Sequence, residues 1–426
     1  MADSKFCSER QKYVEDPRIA CQYGAKCYQK NPVHHQKYKH PPSKKRIRTD
    51  TENDVKRIKR DDVKKDAVVE LPENHSETAD PDLNTDKSEL GYERNESNEE
   101  VTSSNEDVPK TRTAKQFDPA NFIKQKFLVD MPSDFYAFWD FCKGLCPSEP
   151  ENALKDVGLQ LVGPYDVLAG KFYNIDEPSE ADYLIHWRYF YDPPEFQTIL
   201  KGDDKTGFHI GYFRDSPEDL PVFLASNCSK TDGILKIVGD NIFAAVSIYL
   251  DDFKKTGDPF KKMHVSKFQS TLKNKAEELK LSLSERTAKI KERDRKIVSR
   301  SFNKVGIIVP YDRKTQTGYR DLGVSNKSLT KMLTNIQKAL PEQRPKFLSE
   351  LQSVLTNASI ATDECDFGTG IELGLSILAH GVDSLDKTIA RFLASNYRLI
   401  GREAFAKIAE AHMKNRRKET NLSIIK

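Results

Sequence analysis

Four residues near the N-terminus, Cys21, Cys27, His34 and His40, could hold one zinc ion. Two thiolates and two imidazoles suit tetrahedral zinc, and a closed set of four leaves no open position for catalysis. The metal would therefore be structural. So short a segment cannot bury enough apolar surface to fold alone, so metal binding would supply its folding free energy. Five residues separate the cysteines, six precede the first histidine and five lie between the histidines, a wider spacing than in the common finger. His35 adjoins His34 and is the alternative ligand; spacing favours His34. Cys7 lies outside the pattern as a spare thiol.

A second stretch, ATDECDFGTGIELG, gathers Asp363, Glu364 and Asp366 ahead of Gly368 and Gly370. Close carboxylates repel, which can raise the pKa of one and make it a useful general base. Glycines there would permit tight turning and positive φ. Two other readings compete. Asp363 could cap the following helix. The cluster could bind a divalent cation, but the spacing fails the EF-hand loop. Composition alone favours capping over catalysis.

The elements that must position these residues are legible in the apolar pattern. Residues near Lys115 begin the folded part. Pro132-Ser133-Asp134 reads as a helix start, with Phe135, Phe138, Trp139 and Cys142 following at helical spacing as core. VGLQLVGPYDVLAG, YLIHWRYFYDPPEFQTIL, FHIGYFRDSPEDLPVFLASN and GILKIVGDNIFAAVSIYL alternate short apolar runs with Gly, Pro and Asp. They predict strands joined by turns, ending in a helix from about Asn241. His186 and His209 would lie in strands as structural histidines. From about Lys262 the pattern turns helical. RTAKIKERDRKIVSRSF is strongly basic, a solvated helix or a docking surface, and VGIIVPYDRKTQTGYRDL reads as a hairpin or a strand and loop. Leu329, Leu333, Ile336 and Leu340, then Phe347, Leu351, Val354 and Leu355, recur at helical spacing, and two or three helices finish the chain.

The 426 residues carry 68 basic and 65 acidic side chains, so a net charge of +3 predicts no partner by itself. Seven cysteines, an odd and scattered set, do not read as a disulfide framework. No apolar stretch resembles a signal peptide or a membrane span, so a reducing compartment, cytosol or nucleus, is expected. Lys44 to Arg48 and Lys56 to Arg60 look like a bipartite nuclear signal, or a basic linker that helps hold polyanion. From Glu70 to Asp107, thirteen acidic residues face only Lys87 and Arg94, a composition that predicts disorder.

The N-terminal segment resembles the poly(ADP-ribose)-binding zinc finger in its CxYGxxCY and KNPxH residues. The resemblance implies that Tyr23 and Tyr28 grip adenine and phosphate groups of the polymer. Gln29 stands where that family usually has arginine; losing a planar, bidentate cation should weaken phosphate recognition, with Lys30, Lys37 and Lys39 as partial compensation. The competing reading is a zinc knuckle that binds protein or nothing.

From about Phe117 onward the chain resembles the histone PARylation factor family. GLQLVGPYD, FYDPPEFQT, GYFRDSP, GDNIFAAV, ERT, VGIIVP, GYR and DECDFGTGIELG look like its signatures. The resemblance implies an accessory protein that docks on the catalytic domain of poly(ADP-ribose) polymerase and completes a joint active site on histones in the nucleus. Glu364 matches the general base that activates an acceptor serine. Asp363 matches the adjacent acid implicated in docking, and Arg320 a basic residue that contacts the polymerase, with Tyr319 beside it in the joint site. NAD would be bound by the partner polymerase, so no enzyme activity alone is expected, and no membrane partner. The fold expected is α+β, a strand-rich mixed first lobe and a mostly helical second lobe. The expected divisions are a finger over 15–42, a linker over 43–114, an α/β lobe over 115–260 and a helical lobe over 261–426. Two other functions compete. One is a non-catalytic poly(ADP-ribose) reader and scaffold at DNA breaks. The other is an independent hydrolase, for which the chain has no Gly-x-Ser-x-Gly, second metal cluster or phosphate-binding glycine loop.

Removing zinc with a chelator should abolish structure over 15–42 and leave the rest of the chain folded. Circular dichroism of a finger peptide checks this directly. A peptide that holds one fold with and without zinc would end the structural-metal reading.

Overall fold

The computed structural model describes residues 16–20, 32–40, 117–173, 178–256 and 259–425. Near the N-terminus, β1 (Ile19–Ala20) pairs in parallel with β2 (Tyr38–Lys39), and α1 (Pro32–Lys37) runs directly into β2. Cys7, Cys21, Tyr23, Cys27, Tyr28, Gln29 and Lys30, both basic clusters of the nuclear signal and the whole expected linker lie outside the described residues. The described finger residues belong to one compact unit with the chain from Phe117 onward.

α2 (Pro119–Phe127) starts where the Asp118 carboxylate accepts from the backbone N–H groups of Ala120 and Asn121, which would otherwise lack intrahelical partners. α3 (Ser133–Leu145) begins as its sequence predicts and buries Phe135, Phe138 and Cys142 completely. Its Asp134 also turns inward. Tyr212 Oη donates to that carboxylate at 2.6 Å and the Ile242 N–H at 2.9 Å, so one buried acid ties α3 to the sheet and to the start of a later helix.

The sheet is a five-stranded antiparallel meander. β3 (Gln160–Leu161) is followed by α4 (Tyr165–Leu168) and α5 (Glu180–Ile185). Then come β4 (Phe196–Lys201), β5 (Phe208–Phe213), β6 (Phe223–Cys228) and β7 (Lys236–Gly239), each paired with the strand before it. One face packs Ile210, Tyr212, Leu224 and Val238 against α3 and α6 (Ile242–Thr256), with α7 (Pro259–Glu278) adding Val265, Leu272 and Ala276. The other face puts Phe196, Phe213 and Phe223 against Ile290 and Val305. Covering both faces explains why these strands read as apolar runs rather than alternating ones.

Two expectations about this half are corrected. His186 follows the last residue of α5 and is not in a strand: Ser179 and Asp182 form a capping box that starts a helix over YLI. The basic segment forms only a short α8 (Ala288–Asp294), and its Arg293 is buried rather than solvated. Arg293 makes a bidentate pair with Asp215 at 2.7 and 2.9 Å and donates to the carbonyls of Val305 and Gly306.

Five helices build the second half: α9 (Asn326–Lys338), α10 (Arg344–Asp363), α11 (Phe367–His380), α12 (Asp386–Leu399) and α13 (Glu403–Lys414). Leu329, Leu333 and Ile336 of α9 are buried as predicted, whereas Leu340 lies past the helix end and is exposed. α11 is buried on every side from Gly368 to Leu378, as expected of an apolar helix at the centre of a core. Among the described residues no helix is long and apolar enough to cross a membrane.

His186 and His209 both serve structure. His186 Nδ1 accepts from the Ile424 N–H, so the ring is neutral and its Nε2 donates to Asp166 at 2.9 Å; burial lowers its pKa against the pull of that carboxylate. Asp166 also accepts from Trp187 Nε1 and the Gly163 N–H. His209 pairs with buried Asp192 and stacks on Tyr189 with centroids 3.8 Å apart.

Asp166→Ala should destabilise the protein by about 3–5 kcal/mol, because several buried donors lose their acceptor together. Urea denaturation measures this. A loss near zero would show that the cluster does not hold this half together.

Candidate functional site

The acidic stretch sits at the junction of two helices in the second core. α10 ends at Asp363, and Glu364 follows with its N–H still bonded to the Ile360 and Ala361 carbonyls. Cys365 then takes a left-handed conformation, φ 69°, which turns the chain sharply. Asp366 is the last residue before α11. The turn thus rests on Cys365, a correction to the expectation that Gly368 and Gly370 provide positive φ. Both glycines lie inside α11 and serve close approach instead. A Cβ on Gly368 would stand 2.9 Å from Gly318 O and 2.8 Å from Val309 Cγ2.

That close approach joins the acidic turn to the Gly-Tyr-Arg loop. Gly368 N donates to Gly318 O at 2.8 Å, and Gly318 N donates to Asp366 Oδ1 at 3.0 Å. Arg320 N donates to Thr369 Oγ1, whose hydroxyl donates back to Arg320 O at 2.6 Å. Gly318 has φ 110°, and any side chain there would collide with Pro310 O. With its backbone fixed at both ends, Arg320 directs Nη1 to Glu364 Oε2 in an ion pair and holds Nε 3.8 Å from Asp366 Oδ2.

The three acids therefore occupy different environments. Glu364 is 8 % exposed and paired with Arg320. Asp366 is buried, which raises its pKa; the Gly318 N–H and Arg320 oppose that rise, and Glu364 adds to it. Asp363 is exposed and, among the described residues, has no hydrogen-bond or ion-pair partner. Asp363 does not cap α11. Asp366 holds the cap position but spends its carboxylate on Gly318 rather than on the helix.

Sequence reasoning missed Glu372. It is buried one turn and a half into α11, where Tyr319 Oη donates to Oε2 at 3.0 Å and Ser299 Oγ to Oε1 at 2.5 Å. Burial raises its pKa, opposed by those two hydroxyls. The available signal was one carboxylate inside an otherwise apolar helix, GIELGLSILA. Tyr319 is pushed above its ordinary range by the same burial.

In the finger, His34 Nε2 and His40 Nε2 stand 3.0 Å apart, and His34 is buried while His35 is exposed. Tetrahedral zinc with Zn–N bonds of ~2.0–2.1 Å places two nitrogens about 3.3 Å apart, so this pair fits two corners of such a site. Cys21 and Cys27, the other two expected ligands, lie outside the described residues. Burial lowers the pKa of His34 while the Glu364 carboxylate opposes the change, which puts this imidazole within the field of the acidic turn.

Comparison with known proteins follows the same division. The family model for histone PARylation factor 1 matches residues 118–416, and that for the PBZ domain matches residues 18–43. Histone PARylation factor 1 of Bos taurus is 40 % identical over 316 residues, covering 73 % of this chain and 91 % of the bovine one. That of Mus musculus is 40 % identical over 300 residues, covering 70 % and 86 %, and that of Danio rerio 41 % over 297, covering 69 % and 84 %.

The raised pKa of Glu372 has a stability consequence. The folded state holds this proton more tightly than the unfolded chain does. Its contribution is therefore full below the ordinary glutamate value near 4.5 and is lost as pH rises through the higher folded value. Relative to Glu372→Gln, the unmodified protein should gain stability as pH falls from neutral toward the ordinary glutamate value of 4.5. Paired urea denaturation curves test this, and the opposite trend would rule out a carboxyl raised by burial.

Proposed function

The chain belongs to the histone PARylation factor 1 family, and from that premise we propose that it is an accessory cofactor of poly(ADP-ribose) polymerase. It completes a joint active site and directs ADP-ribosylation to serine of histones and other proteins in the DNA-damage response, in the nucleus. Glu364 acts as general base. Its carboxylate takes the proton from the serine hydroxyl as that oxygen bonds to the anomeric carbon of NAD's nicotinamide ribose, and nicotinamide leaves with the electrons of the broken glycosidic bond. NAD is held by the polymerase. A neutral serine hydroxyl is a poor nucleophile, and a positioned base contributes on the order of 10²–10⁴-fold.

The observation that carries this reading is the Arg320–Glu364 pair at the N-terminus of a fully buried helix. A carboxylate so held is aimed before any substrate arrives, which is what positional catalysis needs. Exposed Asp363 and the outer part of Arg320, with Tyr319, form the docking surface for the polymerase.

The finger adds recognition of the polymer. Cys21, Cys27, His34 and His40 hold a structural zinc ion, whose binding folds the segment. Tyr23 and Tyr28 would stack on bases, with Gln29 as a further polymer-binding residue. The convergence of His34 and His40 and the PBZ match support this assignment.

Glu364→Ala should lower serine modification by about a hundredfold or more at saturating concentration while leaving polymerase binding largely intact. Arg320→Ala should instead weaken the complex, so that added protein restores part of the rate. Rates of serine modification against concentration of each variant, with a direct binding assay, separate the two. Full rate from saturating Glu364→Ala would remove this residue from catalysis.

A further inference from the structure

A cleft of about 440 Å³ opens beside Tyr319 and plays no part in the chemistry above. Lys296, Arg313, Tyr311 and Tyr319 line it over an apolar floor that includes Val298 and Ile308. Two segments form its walls. They are joined where Val298 N donates to Ile307 O at 3.1 Å and Ile307 N to Ser299 O at 2.9 Å. The second wall continues into a tight hairpin, closed by Asp312 N donating to Thr317 O at 3.0 Å. Arg313 Nη2 donates to Arg295 O at 3.1 Å, which ties the hairpin to the residue following α8 and sets the guanidinium in place.

The charge of this cleft is one-sided. Among the described residues that line it there is no carboxylate. Three acids close to it are already used: Asp312 accepts from the N–H groups of Lys314 and Thr315, Glu372 accepts from the hydroxyls of Tyr319 and Ser299, and Glu292 pairs with Lys296 on the open surface, where such a pair is worth little. Among the described residues, Arg313 and Lys314 have no acidic partner, and Arg295 is exposed beside them. Cations at the rim, phenol rings on the wall and an apolar floor answer different parts of one ligand. Inorganic phosphate would use only the cations. A basic peptide would be repelled. An acidic protein surface would not need a cleft of this size, which falls in the range that encloses small ligands.

We propose that this cleft binds an adenosine diphosphate group, its pyrophosphate between Lys296 and Arg313 and its base against Tyr311 and the apolar floor. The group can come from a free nucleotide or from a unit of poly(ADP-ribose). Its described lining residues all come from 296–319 and none from the finger, and it does not depend on the role of Glu364.

Photolabelling of the full chain with an azido-adenine ADP-ribose, mapped by mass spectrometry, tests the assignment. Label should appear within 296–319 and fall roughly tenfold or more in the Lys296→Glu/Arg313→Glu variant, as expected on losing charge-assisted bonds to phosphate. Unlabelled ADP-ribose should compete. Poly(ADP-ribose) competing at a lower concentration of units would identify the polymer as the source; equal competition per unit would identify the free nucleotide. Tyr311→Leu, which keeps both cations, should weaken competition by ADP-ribose and leave that by inorganic pyrophosphate unchanged. Label confined to the finger, label unaffected by both variants, or equal competition by duplex DNA or inorganic pyrophosphate would each overturn the proposal. So would a double variant that labels normally but binds the polymerase more weakly, since the cations would then serve a protein surface.

Discussion

The contact between Gly318 and the first turn of α11 is the constraint from which the acidic site follows. Two hydrogen bonds cross it in opposite directions, one from Gly368 N to Gly318 O and one from Gly318 N to the Asp366 carboxylate. Neither backbone could come so near if either glycine carried a side chain. The loop thereby inherits the rigidity of a helix that is buried all round. Arg320 is two residues from the contact, so its guanidinium reaches Glu364 from a fixed base. The N-terminus of α11 also carries the positive end of the helix dipole, which favours the carboxylates gathered there.

Glu372 extends the same logic one layer inward. Its two hydroxyl donors come from Tyr319 on the Gly-Tyr-Arg loop and from Ser299, beside the segment that closes the neighbouring cleft. One buried acid therefore couples three pieces of chain that are remote in sequence. Such an arrangement is sensitive to its weakest member, because removing any partner leaves a buried polar atom unsatisfied.

Much of this was legible in the sequence, for identifiable reasons. The stripe of Phe135, Phe138 and Cys142, the helix start at Pro132-Ser133-Asp134 and the helices around Leu329, Leu333 and Leu351 follow from apolar spacing, and spacing survives folding. The approach of His34 to His40 follows the spacing read in the sequence. What was hidden depended on partners far along the chain. Arg293 reads as one more exposed cation in a basic run, and only Asp215, 78 residues earlier, makes it a core residue. His186 reads as part of a strand because YLIHW is apolar and aromatic, whereas a capping box at Ser179 decides for a helix. Gly368 suggests a turn residue until Gly318 is found against it.

The three acids of the turn show why composition could not rank them. In sequence they are equivalent: small spacings, the same charge and the same neighbouring glycines. Folding separates them through one helix end and one left-handed residue. Asp363 is on the last turn of α10 and stays in water. Glu364, one position on, is rotated by about 100° around the helix and faces Arg320. Cys365 then reverses the chain, so that Asp366 lies under the Gly318 loop with its carboxylate committed to backbone. A base has to be held and aimed, a docking acid has to be accessible, and a positioning acid has to be buried. The geometry pairs Glu364, leaves Asp363 accessible and buries Asp366. What sets Glu364 apart from its neighbours is therefore its place opposite Arg320, since intrinsic acidity would scarcely distinguish a glutamate from two aspartates.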